Sequence, residues 1–418
     1  MSWQEPHPSP LAGVTEAARA SGERLDRLRD AGLLRGTRRV ESAQGSRAML
    51  DGRAVAMLCS NNYLGLADHP KVRRAAARAA MRWGAGSGAS RLVSGTMEPH
   101  EELEARLASF VGKDAALLFG SGFLLNAGVI PALADSGETI FSDELNHASI
   151  VDGCRASRAE CFVYRHADLE HLAWGISRAR GRPALIVSDS LFSMDGDLAP
   201  LEGLVELAQQ HRLRLMIDEA HAVGCYGPGG RGAVAAAGLT DQVDLVVGTL
   251  GKALGSYGAF VASDPATREL LLNAARTFVF STAPPPPAAA AAQCALELIE
   301  GDPALVEQLA DRSLALREAL AEQGVDTDPS VTHVVPVRVG DPEATLRLCE
   351  VFLDRGFFAQ AIRPPSVPEG TSRLRLTAMA THEEGELIRA ARELAAAAAS
   401  LGLDLDGEPC RAPLPRAA

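Results

Sequence analysis

The sequence predicts an α/β fold in which a large domain, built on a mostly parallel sheet, precedes a smaller C-terminal α+β domain. Three observations carry this. Between residues 110 and 260 short apolar runs alternate with helical patterns, the signature of strands joined by helical crossovers. Two of these runs, LRLMIDEAHAVG at 213–224 and DLVVGTLGK at 244–252, stop abruptly at polar residues, as strands do at the functional edge of an open sheet. A proline run inside TAPPPPAAAAAQCALELI at 282–299 marks a joint, beyond which helix and strand signals resume.

The elements follow in order. Residues 11–35 carry Leu25, Leu28 and Leu33 among charges and read as an amphipathic helix lying on the main body or on a partner subunit. Residues 48–58 suit a hairpin turning at Asp51-Gly52, and CSNNYLGLADHP at 59–70 is a loop before a helix from about 70 to 83. Strands are expected at 115–119, 138–143, 160–166, 184–192, 213–218, 244–249 and 257–262, with helices starting near Phe123 and Ala148 and another at 201–211. In the C-terminal part helices are expected at 302–323, 342–355 and 382–400, and strands at 332–338, 357–361 and 372–377. The implied division is an N-terminal helix and hairpin segment at 1–58, a large domain at 59–296, a small domain at 297–403 and a flexible tail at 404–418.

Composition narrows the function. An apolar content of 47% over 418 residues is that of a globular protein, and a net charge of −12 argues against a general nucleic-acid binder. Seven cysteines are dispersed without a CxxC pair or zinc-type spacing, as in a reducing compartment. The sequence shows neither a signal-peptide pattern nor an 18-residue apolar stretch, so a cytoplasmic protein without membrane association is expected.

The residues that can carry chemistry converge at the strand ends. Asp218 ends an apolar strand, and a buried carboxylate needs a partner; a protonated pyridine nitrogen is one. His221 is placed to reach the phenolic oxygen of such a ring, and Lys252 to bind its carbonyl carbon as a Schiff base. His147 follows a strand and either stacks on the ring or caps a helix. Small residues at Gly120-Ser121-Gly122-Phe123 open a helix, where free N–H groups suit an anion, and Thr249 is a second phosphate-type candidate. GTLGKALG is not a nucleotide-binding P-loop, no dinucleotide fingerprint is present, and no third and fourth ligand accompany Asp218 and His221 to make a metal site. In AIRPPSVPEGTSRLRLT, at 361–377, strand alternation puts Arg373 and Arg375 on one face, near Arg363; this suits a substrate carboxylate, the alternative being a solvated edge strand.

Seven segments together resemble the α-oxoamine synthases over residues 20–400: NNYLGL (61–66), GSGASRLVSG (86–95), SGF (121–123), NHAS (146–149), FSMDGD (192–197), DEAHAVG (218–224) and TLGKALG (249–255). These are fold-type I enzymes dependent on pyridoxal 5'-phosphate, which join an amino acid to an acyl thioester with loss of carbon dioxide. The resemblance implies that Lys252 binds the cofactor and handles the α-proton, Asp218 pairs with the pyridine nitrogen and His147 stacks on the ring. It places His221 and Ser193 at the phenolic oxygen, and Ser121, Gly122, Phe123 and Thr249 at the phosphate. It assigns Arg375 to the amino-acid carboxylate, Asn62 to the substrate's surroundings, Arg35 to the acyl entry, and Ser281 and Thr282 to the cofactor of the neighbouring subunit in a homodimer. Asp189 stands where some relatives carry Glu. The segment 361–376 resembles most the members that use L-alanine with pimeloyl-CoA or pimeloyl-acyl carrier protein; sister enzymes use glycine with acetyl-CoA or succinyl-CoA.

Overall fold

The computed structural model describes residues 16–406. Its central sheet has seven strands in the order Ala115–Phe119, Ala259–Ser263, Leu245–Thr249, Arg214–Asp218, Arg182–Asp189, Glu138–Asp143, Glu160–Tyr164. Ala259–Ser263 is antiparallel to both of its neighbours, and the other strand pairs are parallel. Helices cover both faces, so the strands read as continuous apolar runs: Leu185, Ile186 and Val187, like Leu215, Met216 and Ile217, are fully buried. Each such side chain withdrawn from water contributes about 1.5–3 kcal/mol. The parallel strands end together, and Asp143, Asp189, Asp218 and Thr249 are the last residues of four of them.

A second sheet, in the order Val334–Gly340, Ser372–Thr377, Gln360–Ile362, is antiparallel. Ser372–Thr377 is its central strand and is buried along its length, which removes the solvated-edge alternative for RLRLT. The alternation holds: Leu374 and Leu376 enter an apolar cluster with Leu316, Phe352 and Leu394, leaving Arg373 and Arg375 for the other face. The hairpin forms as expected at Arg47–Leu50 and Arg53–Met57, and a short strand, Phe357–Phe358, adds to it in parallel. The N-terminal hairpin thus packs with C-terminal elements, and Ala56 and Leu58 share the cluster of Leu374.

Several expectations shift. The first helix, described as Glu16–Asp30, stops short of residue 35, where Gly32 takes a left-handed conformation (φ 64°). None of its residues is buried. The strand expected at 357–361 is two short strands, Phe357–Phe358 and Gln360–Ile362, in different sheets. The proline-led helix Pro286–Gly301 starts with Pro in its first turn and packs on Pro70–Trp83. Residues 11–15 of the first helix and most of the tail lie outside the described residues. Among the described residues no helix is long and apolar enough to cross a membrane.

Candidate active site

A cavity of about 160 Å3 opens at the carboxyl edge of the central sheet, lined among others by Gly122, Phe123, His147, Asp218, Thr249 and Lys252. His221, Asp189, Asn126 and Ser149 complete its polar wall. Residues 130 positions apart in the chain meet here because the parallel strands end at one level.

Lys252 Nζ lies 2.8 Å from His221 Nε2. His221 Nδ1 lies 2.7 Å from the Tyr63 hydroxyl, which is 3.0 Å from Asn61 Oδ1. Arg375 reaches the same pair, donating to Asn61 Oδ1 at 3.1 Å and to the Tyr63 hydroxyl at 3.2 Å. With Tyr63 donating to Asn61, His221 carries its proton on Nδ1 and accepts on Nε2. Burial, then the positive charges of Lys252 and Arg375, hold His221 well below the ordinary imidazole range, in keeping with that neutral form. Burial also brings Lys252 down to about 8, although the carboxylates of Asp218 and Asp189 oppose it. An amine that loses its proton so readily is a nucleophile near neutral pH.

Asp218 is fixed from two sides. Asn126 Nδ2 donates to one oxygen at 2.8 Å, and the Ala220 N–H donates to the other at 3.0 Å. Asn126 itself is anchored to Ser149 Oγ at 2.9 Å. Asp189 ends the adjacent strand directly beside Asp218 and accepts from the His147 N–H at 2.7 Å. Burial and the neighbouring Asp218 charge push Asp189 well above the usual carboxylate range. The His147 ring bonds Ser149 Oγ at 2.7 Å through Nδ1 and caps the helix Ala148–Ala156, so it both caps and lines the cavity. Burial, then the Lys252 charge, lowers its pKa.

The helix Gly122–Leu133 points its N-terminus into the cavity. Ser121 Oγ accepts from Leu124 N at 3.2 Å, and the first intrahelical bond runs from Leu125 N to the Ser121 carbonyl at 2.9 Å. Helix geometry leaves the earlier N–H groups of Gly122 and Phe123 for an anion. Gly122 packs so closely on Thr249 that an added Cβ would stand 3.0 Å from Thr249 Cγ2. This donor set fits pyridoxal phosphate: an anion cradle at one end, a fixed carboxylate for a ring nitrogen, and a nucleophilic amine for the carbonyl carbon.

Other expected residues lie elsewhere. Asn62 is buried, but its amide is spent on the Gln44 carbonyl and the Ala67 N–H, and its neighbour Asn61 is the one that meets Arg375. Ser193 presents its backbone carbonyl to Arg375 Nε. Arg35 lines a separate cavity of about 1140 Å3 with Arg38, Arg363, Phe358 and Ile362. Ser281 and Thr282 do not line the Lys252 cavity. Sequence reasoning passed over Asn126, although a lone polar residue in GFLLNAGVIPAL, one helical turn past Gly122, is a legible signal. It also missed Tyr63 and His333; the His333 ring packs against Tyr63 in a tilted arrangement, with ring centroids 4.1 Å apart.

The family model for aminotransferase class I and II matches residues 53–394. The chain is 50% identical over 382 residues to an 8-amino-7-oxononanoate synthase of Geobacter sulfurreducens, covering 91% of this chain and 98% of that one. Among solved structures it is similar to a serine palmitoyltransferase from S. paucimobilis with PLP bound: TM-score 0.87, 32% identity, 93% of this chain and 100% of that one. An 8-amino-7-oxononanoate synthase from Francisella tularensis shares the fold at TM-score 0.72 and 23% identity, with 83% of this chain and 98% of that one covered.

Proposed function

The chain belongs to the class I and II aminotransferase family and, within it, to the α-oxoamine synthases; from that premise we propose that it condenses L-alanine with a pimeloyl thioester to give 8-amino-7-oxononanoate, a step of biotin biosynthesis. The thiol and carbon dioxide leave. Bound through Lys252, pyridoxal phosphate supplies the electron-withdrawing ring that makes the alanine α-proton removable and takes up charge as carbon dioxide departs.

The chain's own residues do the rest. Gly122, Phe123 and Thr249 would hold the phosphate, and Asp218, stiffened by Asn126, would keep the ring nitrogen protonated. His147 would cover one ring face, and His221, with Nε2 towards Lys252 and Nδ1 towards Tyr63, would stand on the phenolic-oxygen side. The Lys252 amine would take the alanine α-proton and later return one to the product. Arg375 would receive the alanine carboxylate, its guanidinium already aimed by Asn61, Tyr63 and the Ser193 carbonyl. The acyl donor, on coenzyme A or acyl carrier protein, would enter past Arg35. The active unit is read as a homodimer in which Ser281 and Thr282 serve the neighbouring site.

The observation that carries this reading is the juxtaposition of Lys252, His221 and Asp218 on one cavity. The test offers alanine, serine and glycine against pimeloyl, acetyl and succinyl thioesters and follows product mass. Alanine with a pimeloyl donor is the expected pair; a preference for glycine with acetyl-CoA would move the chain to a sister reaction and leave the cofactor residues in place.

A further inference from the structure

His166 lies just beyond the strand Glu160–Tyr164, outside the Lys252 cavity, and none of the residues assigned above includes it. Its Nδ1 is 3.0 Å from Asp143 Oδ1, and its Nε2 is 2.7 Å from Asp197 Oδ2. A neutral imidazole has one N–H and would leave one carboxylate facing a lone pair, whereas the imidazolium donates to both. Burial pulls the His166 pKa down, but the bonds and charges of Asp143 and Asp197 outweigh it and raise it to about 10. The Phe192 ring meets the imidazole edge-on at 4.4 Å.

The two carboxylates differ in how firmly they are held. Asp143 ends a central strand and also accepts from the N–H groups of Leu145 and Ala167, each at 2.9 Å. It is a fixed post at the end of that strand. Asp197 Oδ2 is bonded to His166, while its Oδ1 is buried without a hydrogen-bond partner. Asp197 closes the loop FSMDGD, where the Phe192 N–H donates to the Asp197 carbonyl at 3.0 Å and the Gly196 N–H to the Phe192 carbonyl at 2.8 Å. The opposite side of that loop faces the arginine strand. The Ser193 carbonyl accepts from Arg375 Nε, the Met194 carbonyl from Arg373 Nη1 at 3.2 Å, and the Asp195 carboxylate pairs with Arg373.

We propose that His166 is a positioning residue: by tying Asp197 to the fixed Asp143 it sets the 192–197 loop, and through the Ser193 carbonyl it sets the aim of Arg375 at the amino-acid carboxylate. The proposal rests on the assignment of Arg375 to that carboxylate. His166 touches no reacting atom, so its loss is felt in amino-acid capture rather than in the chemical step.

The test compares His166→Asn, Asp197→Asn and Arg375→Ala holoenzymes with the parent. Losing one charge-assisted contact corresponds to about a tenfold change, so His166→Asn is expected to raise the L-alanine KM about tenfold, with kcat and the acyl-donor KM within about twofold. Asp197→Asn should do the same, which keeps the test open if the histidine variant folds poorly. The double variant His166→Asn/Arg375→Ala should bind alanine no worse than Arg375→Ala alone, because both act through one guanidinium. Nitrogen-15 NMR of the ring should show both His166 nitrogens protonated at pH 8. An alanine KM raised by Arg375→Ala but unmoved by His166→Asn and Asp197→Asn would overturn the positioning role, as would a neutral His166 at that pH. An unchanged KM in Arg375→Ala would instead remove the carboxylate assignment, and the NMR result would still decide whether the clamp exists.

Discussion

Lys252 is a lysine whose charge the fold suppresses, and that has a measurable sign. Burial lowers its pKa from 10.5 to about 8, while Asp218 and Asp189 oppose the shift. Above about pH 8 the amine is free to capture an aldehyde; below it, protonation blocks capture. Uptake of pyridoxal phosphate by the cofactor-free protein should therefore accelerate with pH and level off above about 8, followed as growth of the yellow absorbance. Borohydride should then fix the cofactor on the Lys252 peptide. The assignment is unambiguous because the chain has three lysines: Lys71 is exposed, and Lys113 is spent on the Thr240 and Val243 carbonyls. Label on either would sink the role of Lys252, and a flat pH profile would deny the amine its depressed pKa. Lys252, Asp218, His221, His147 and Thr249 were legible in the sequence because each sits where an apolar run breaks, and an open sheet gathers its strand ends. Tyr63 and Asp189 could not be tied to these residues in advance, because which side chains touch depends on strand order and loop path; Asn126 stood out as a lone polar residue, but its partner did not.

At the scale of elements, legibility followed pattern strength. The helix Leu201–His211 and the strand Ser372–Thr377 fall where the periodicity puts them. The helices Glu98–Val111, Leu169–Arg178 and Pro265–Ala274 went unassigned, although Asp168 and Asp264 are cap residues whose side chains accept from the first-turn N–H groups. The reversed direction of Ala259–Ser263 has no local signature, since a strand buried on both faces reads alike either way up. The loop 192–197 is the element on which the arginine site leans, and Gly196 is its tightest point. Gly196 has φ 73°, and an added Cβ would stand 2.0 Å from the Val334 carbonyl oxygen, a backbone atom that cannot step aside cheaply. Gly196→Ala should lose about 1–3 kcal/mol from backbone conformation alone, with the clash added. Gly52→Ala is the control, because Gly52 has φ 78° and nothing within 4 Å of an added Cβ. Denaturant unfolding should show a larger loss for Gly196→Ala than for Gly52→Ala, and the former should also raise the alanine KM. Equal losses would mean that the loop is not seated on Val334.

At the scale of the whole molecule, the apolar surface left uncovered is instructive. Val93 is 80% exposed and Phe280 is 72% exposed, and Phe280 immediately precedes Ser281 and Thr282. Thr282 is itself exposed and pairs through its backbone with Ser90, three residues before Val93. Exposed apolar side chains brought together here would suit a contact surface, and a homodimer related by a two-fold axis would bury the same patch on both copies. In such a dimer Thr282 would serve the partner's phosphate cradle, and mixing experiments separate that arrangement from one within a single chain. Lys252→Ala removes the nucleophile, and Thr282→Glu sets a negative charge where a phosphate would sit, so each homodimer should be inactive. In a heterodimer the subunit that keeps Lys252 receives an intact Thr282 from the other. Random re-association of equal amounts should then restore about a quarter of the parental sites, because half of the dimers are mixed and each has one good site. If Thr282 acted on its own chain's cofactor, both sites of the heterodimer would stay defective and mixing would restore nothing. Sedimentation of the parent protein completes the test: activity confined to the dimer is expected, and a fully active monomer would overturn the shared site.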